Sequence, residues 1–104
     1  MKKVIGNKVY DIETAEEFHA WDNGCTPTDF YYRLKVLFRT PNGRYFIYHK
    51  GGPKTDMVVK SGNKTYSGSS SIEAVDENEV FEFLQEHDGD ELLLELFPEK
   101  VEEA

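Results

Sequence analysis

The stretch that most restricts what this chain can fold into is Asp29 to Pro53, which reads as one long β-hairpin. Tyr32, Leu34, Val36 and Phe38 alternate with Arg33, Lys35, Leu37 and Arg39, the period-two pattern of a strand with one buried face. The return strand is Arg44 to Lys50, with Thr40-Pro41-Asn42-Gly43 between the two. Seven of the chain's fourteen aromatic residues lie in this stretch, so the core is expected around it.

The turn chemistry sets the register, and the register decides which residues share a face. A two-residue Asn42-Gly43 loop would put Pro41 in a paired position, where its missing N–H costs a ladder bond. A type I turn with Pro41 at its first central position and a left-handed Gly43 avoids this and pairs Thr40 with Arg44. Phe38 then lies opposite Phe46, Arg39 opposite Tyr45, and Val36 opposite Tyr48. The face with Val36, Phe38, Phe46 and Tyr48 is the expected core face. The other carries Arg33, Lys35, Leu37, Arg39, Tyr45, Ile47 and His49, a cationic surface with an apolar middle.

Before the hairpin, Val4 to Tyr10 reads as a smaller one, with Gly6 opening a type II′ turn. Thr14-Ala15-Glu16-Glu17 matches a capping box and predicts a short helix that buries Ala15, Phe18 and Trp21 and stops at Asn23-Gly24. After the hairpin, Met57 to Val59 is expected as a short strand and Ser61 to Ser71 as a Gly/Ser-rich loop. Ile72 to Val75 reads as a last edge strand. Asp76 to Glu79 is a second capping signal, opening a helix with Val80, Phe83, Leu84 and His87 on one face. Asp90 is expected to cap a final helix with Leu92, Leu93, Leu96 and Phe97 as its stripe, ended by Pro98. Trp21, Phe18, Phe38, Phe46, Val36, Phe83 and Leu84 are expected to form one core.

These elements give one domain over residues 1–104, with an acidic helical segment at 76–98. The expected fold class is α+β: an antiparallel sheet of about four or five strands around the central hairpin, an N-terminal helix, and two short acidic C-terminal helices. Up to Ser70 there are eleven Lys/Arg against seven Asp/Glu, a net of +4. From Ser71 onward one Lys faces thirteen acidic residues, a net of −12 within an overall −8. This asymmetry bears on partners and steering. No apolar run approaches membrane-spanning length, and the start lacks a secretory signal; a cytoplasmic protein is expected.

The residues that could carry catalysis do not assemble in the sequence. His19, His49 and His87 are far apart, with no second ligand type at metal spacing, so neither a metal nor a cofactor is expected. Cys25 has no neighbouring His. Gly51-Gly52-Pro53-Lys54-Thr55 lacks phosphate-loop spacing, and its proline removes an N–H donor. The late carboxylates lie on amphipathic helices facing water rather than in a desolvated cleft. The reading is therefore non-enzymatic.

Two surfaces remain. One is acidic, comprising Glu82, Glu86, Asp88, Asp90, Glu91 and Glu95, and suits a basic partner. The other is the cationic sheet face, with Arg33, Lys35, Arg39, Tyr45 and His49, which could stack bases and neutralise phosphates. The late carboxylates could instead neutralise those cations internally. The overall charge argues against direct nucleic-acid binding.

Tyr10 to Ala15 (Tyr-Asp-Ile-Glu-Thr-Ala), the Leu37 to Phe46 strand pair with its Arg-Thr and Gly, and Gly51-Gly52-Pro53 together resemble a family of small acidic proteins. These are encoded by phages, prophages and plasmids of Gram-positive bacteria. The likeness spans nearly the whole chain, departing at Arg33-Leu34-Lys35, where members more often carry acidic residues. It implies a mobile-element setting in a host bacterial cell, similar to that of anti-CRISPR and other anti-defence inhibitors. The partner so implied is a host protein or ribonucleoprotein defence complex such as a CRISPR effector, bound by a monomer or homodimer. The alternatives are a small nucleic-acid-binding accessory protein using the cationic face, and a phage structural or assembly protein.

Overall fold

The computed structural model describes residues 1–60 and 62–104; Ser61, at the head of the expected Gly/Ser-rich loop, lies outside them. The strands are β1 (Lys2–Ile5), β2 (Lys8–Asp11), β3 (Glu16–Asp22), β4 (Arg33–Arg39), β5 (Tyr45–Gly51), β6 (Val59–Lys60), β7 (Tyr66–Ser67) and β8 (Ser69–Val75). Helices α1 (Glu77–Glu86) and α2 (Asp90–Leu96) follow, then a single 3-10 turn, Pro98–Lys100. Strand makes up 39% of the chain and helix 19%. The expected α+β fold with an N-terminal helix is therefore corrected to a mostly-sheet molecule, with several sheets and two short helices near its C-terminus.

The main sheet has the order β3-β4-β5-β8, every neighbour antiparallel, while β1-β2 and β6-β7 are separate hairpins. The central register is the one the turn chemistry demands, with Phe38 opposite Phe46 and Arg39 opposite Tyr45. Gly43 is left-handed at φ 85°. The Thr40 N–H donates to the Arg44 carbonyl at 2.7 Å, and the Gly43 N–H to the Thr40 carbonyl at 2.9 Å. In the first hairpin Gly6 and Asn7 both have positive φ, 56° and 65°, so that turn is type I′ rather than II′.

The expected N-terminal helix is instead the edge strand β3. Asp11 closes the preceding turn: its carbonyl accepts from the Ala15 N–H and its carboxylate from the Glu13 N–H. The apparent cap is thereby absorbed into a turn. A bulge falls between Glu17, opposite Phe38, and His19, opposite Leu37. The unpaired Phe18 disturbs the alternation, so Phe18, His19 and Trp21 all reach the side of the sheet that the helices cover. A period-two strand with one extra residue thus imitates the spacing of three expected from a helix.

Both faces of the sheet are buried, so the single expected core is two. On one face, Leu37 and Ile47 pack with Val80, Phe83, Leu84, Leu93 and Phe97 of the helical segment, joined by Phe18 and Tyr45. On the other, Phe46 and Ile72 pack with Tyr10 of the N-terminal hairpin, joined by Phe38 and Tyr48. Phe46 meets the Tyr10 ring edge-on at 5.6 Å and stacks on Phe38 at 5.2 Å. The face read as cationic surface is the one that α1 and α2 cover.

The acidic helices follow their local signals. The Asp76 carboxylate accepts from the Glu79 N–H at 2.8 Å and the Glu79 carboxylate accepts from the Asp76 N–H, a complete capping box. Val80, Phe83 and Leu84 are buried, as expected. Asp90 does not cap α2: Gly89 does, with no side-chain cap bond, and Asp90 is the first helical residue.

Leu37 and Phe46 are both fully buried, on opposite faces. Truncation to Ala is expected to cost about 2–5 kcal/mol at Leu37 and about 3–5 kcal/mol at Phe46. Val4→Ala, on the exposed side of the first hairpin, should change stability by no more than about 0.5 kcal/mol. Urea midpoints compare the three, and a small loss at either buried position would mean that its face is open.

Candidate functional site: the joint between the sheet and the acidic helices

His87 ends α1 and is buried. Its Nδ1–H donates to the Phe83 carbonyl at 2.8 Å, which leaves Nε2 to accept from the Lys35 ammonium at 3.0 Å. Its own carbonyl accepts from the His19 Nε2–H at 2.7 Å. The imidazole stacks on Phe83 at 4.4 Å and meets the Trp21 ring edge-on at 4.9 Å. One residue thus ties α1 to β3 and β4. The geometry calls for a neutral ring. Burial is the main cause that pushes the His87 pKa below its usual value, with the nearby Lys35 charge acting in the same direction and the Phe83 carbonyl opposing.

The chain turns sharply after this joint. Asp88 is left-handed at φ 60°, and the Gly89 N–H donates back to the Leu84 carbonyl at 2.8 Å, a Schellman-type ending. A Cβ on Gly89 would stand 2.6 Å from Leu84 Cδ2, so this corner requires glycine.

The six carboxylates proposed as a partner surface are all exposed, but they divide between two grooves. Asp88, Asp90, Glu91 and Glu95 line one of about 490 Å³ with Phe18, His19 and Leu92. Glu82 and Glu86 line another of about 190 Å³ with Glu73, Glu79, Lys35 and His49. No charged Lys or Arg nitrogen among the described residues comes within 4 Å of an oxygen of these six carboxylates. The sheet's cations find other partners.

The alternative surface is largely covered. Arg33 is 8% exposed, and its guanidinium takes both Asp56 oxygens, at 2.7 and 3.2 Å, as well as the Leu34 carbonyl. Hydrogen bonding from Arg33 chiefly holds the Asp56 carboxyl below its usual range. His49 contacts Glu73 at 2.9 Å through Nε2 and the Arg33 guanidinium through Nδ1. Lys35 lies beside His87 and 5.7 Å from the Trp21 ring centre. Tyr45 packs edge-on against Phe18, and the exposed Arg39 lies over Tyr45.

Sequence reasoning missed Asp56, Glu73 and the buried role of His87. Glu73 becomes legible once β8 is registered on β5, because His49 lies opposite Ser71 and Glu73 is its diagonal neighbour on the same face. Asp56 carries no local signal. No group of three or more His, Cys, Asp or Glu among the described residues is placed to hold a metal. Among the described residues, no helix is long and apolar enough to cross a membrane. No protein-family model, curated protein or solved structure matches the chain.

The joint makes stability depend on pH. The fold favours neutral His87, so its contribution is complete above the unfolded value of 6.5 and is lost as pH falls from there through the lowered folded value. Lys35→Met should raise the His87 pKa, measured by NMR of the ring protons, and move the acid-sensitive window upward. An unchanged His87 pKa would mean that the two groups do not face each other.

Proposed function

We propose that this chain is a non-enzymatic interaction protein of a mobile element, whose acidic helical segment occupies a basic, nucleic-acid-binding surface of a host defence complex. The observation that carries the reading is that the carboxylates of α1 and α2 are exposed and, among the described residues, form no ion pair with Lys or Arg, on helices whose opposite faces are fixed to a sheet. A rigid, unneutralised anionic surface presents charge without first breaking internal ion pairs, which favours rapid encounter with a cationic groove. The mobile-element setting and the choice of a CRISPR-type effector rest on the family resemblance of Tyr10 to Ala15, Leu37 to Phe46 and Gly51 to Pro53.

The test uses the tagged chain against guide-loaded effectors of Gram-positive hosts. An inhibited effector should fail to retain its target DNA in a gel shift when the chain is present. Replacing Glu82, Glu86 and Glu91 by Gln and Asp88 by Asn should slow association at least about tenfold at low salt while leaving the fold intact. Association unaffected by these four changes would remove the acidic helices as the binding surface.

A further inference from the structure

The end of the main sheet away from the β4–β5 turn is assembled from three connecting segments in backbone contact. The Lys54 N–H donates to the Phe30 carbonyl, and the Gly52 N–H to the Tyr32 carbonyl, each at 2.9 Å. A Cβ on Gly52 would stand 2.5 Å from the Phe30 oxygen, and one on Gly68 would overlap the Gly51 carbonyl. Glycine at these positions is what lets the segments close on one another. Arg33 anchors the middle segment through Asp56, and Ser69 ties it to β8 by donating to the Met57 carbonyl.

Aromatic rings stand open on this base. Phe30 is 63% exposed, Tyr31 59% and Tyr66 58%. The backbone that carries the first two is held from both sides: Asn23 Nδ2 donates to the Tyr31 carbonyl at 2.7 Å, and the Tyr31 N–H donates to the Asp29 carboxylate at 2.8 Å. Tyr66 is paired with Lys60 across the β6-β7 hairpin. Lys54, Lys60 and Lys64 are exposed in the same segments, beside the exposed carboxylates of Asp22 and Asp29, whereas Asp56 is paired with Arg33. These exposed rings and lysines all belong to the connecting segments and the β6-β7 hairpin, and none of them lies on α1 or α2.

We propose that this end binds single-stranded nucleic acid, with Phe30, Tyr31 and Tyr66 stacking on bases and Lys54, Lys60 and Lys64 neutralising phosphates. Charge selects a polyanion, and open rings select one whose bases are unstacked and can lie flat on them. Aromatic side chains on a fixed backbone surrender little freedom on binding. The overall negative charge does not forbid contact, because at physiological salt charges are screened over about 8 Å and the molecule is 51 Å long. The surface would also let the chain hold a strand carried by a ribonucleoprotein, but binding here does not depend on the acidic-helix reading, and either can fail alone.

Fluorescence anisotropy of labelled oligo-dT and oligo-U of about 12 nucleotides tests the proposal against two controls, a duplex of equal length and an Asp/Glu-rich peptide of equal charge. Saturable binding of the single strands is expected at about 50 mM salt, weakening roughly 20-fold at about 200 mM if three phosphates are contacted. The double variant Phe30→Ala/Tyr31→Ala, both positions being exposed, should retain the native circular dichroism and bind about fivefold more weakly or worse. Lys60→Gln/Lys64→Gln should flatten the salt dependence. Absence of saturable binding at the lower salt, indifference to the aromatic variant, or equal binding of the duplex or the acidic peptide would each overturn the proposal.

Discussion

Leu37 and Phe46 are both wholly inaccessible to solvent, although they belong to opposite faces of one sheet. That double burial is the constraint on which the rest depends. A sheet with only one covered face would leave Phe46, Ile72 and Phe38, or else Leu37 and Ile47, against water. Neither the N-terminal hairpin nor the C-terminal helices can cover both. The chain therefore closes from its two ends, with Tyr10 capping one face and the Val80, Phe83, Leu84, Leu93 and Phe97 cluster the other. Burying apolar area on both sides is how a chain of this size, with one free cysteine and no disulfide, gathers enough core to fold.

The cover on the helix face decides the electrostatics. Lys35 cannot stay in open water once α1 lies over β4, and the residue that meets it is a neutral imidazole rather than a carboxylate. Arg33 turns instead to Asp56, and His49 to Glu73. The carboxylates of the helices thus keep their charge facing outward. The distribution that results, with exposed carboxylates on the helical cover and exposed lysines and rings on the 29–32, 51–60 and 62–67 segments, is a consequence of packing as much as of composition.

Much of the central architecture was legible because its signals are local. Pro41 and Gly43 dictate the turn, and the turn dictates the register of the long hairpin; the Asp76 and Glu79 capping box announces α1. What was not legible came from long-range choices. The β4 set Arg33, Lys35, Leu37 and Arg39 is mostly cationic and gives no local sign that it meets the helices, so Leu37 and Ile47 read as the middle of a surface. The bulge at Phe18 turned a strand into the likeness of a helix, and Glu16 and Glu17 strengthened it, because tertiary pairing overrides helix propensity. Of the candidate site, the acidic residues could be listed from sequence, but their division between two grooves and the neutral joint at His87 required the pairing of β3, β4 and α1.

The claim that the helices seal the Lys35, Leu37 and Ile47 face is tested most directly by methyl NOEs in solution. Cross-peaks from the Leu37 and Ile47 methyls to those of Val80, Leu84 and Leu93 are the result this account requires, with none from Leu37 to the Tyr10 ring. Leu37 methyls that contact Tyr10, or that show no contact with the helical segment, would contradict it.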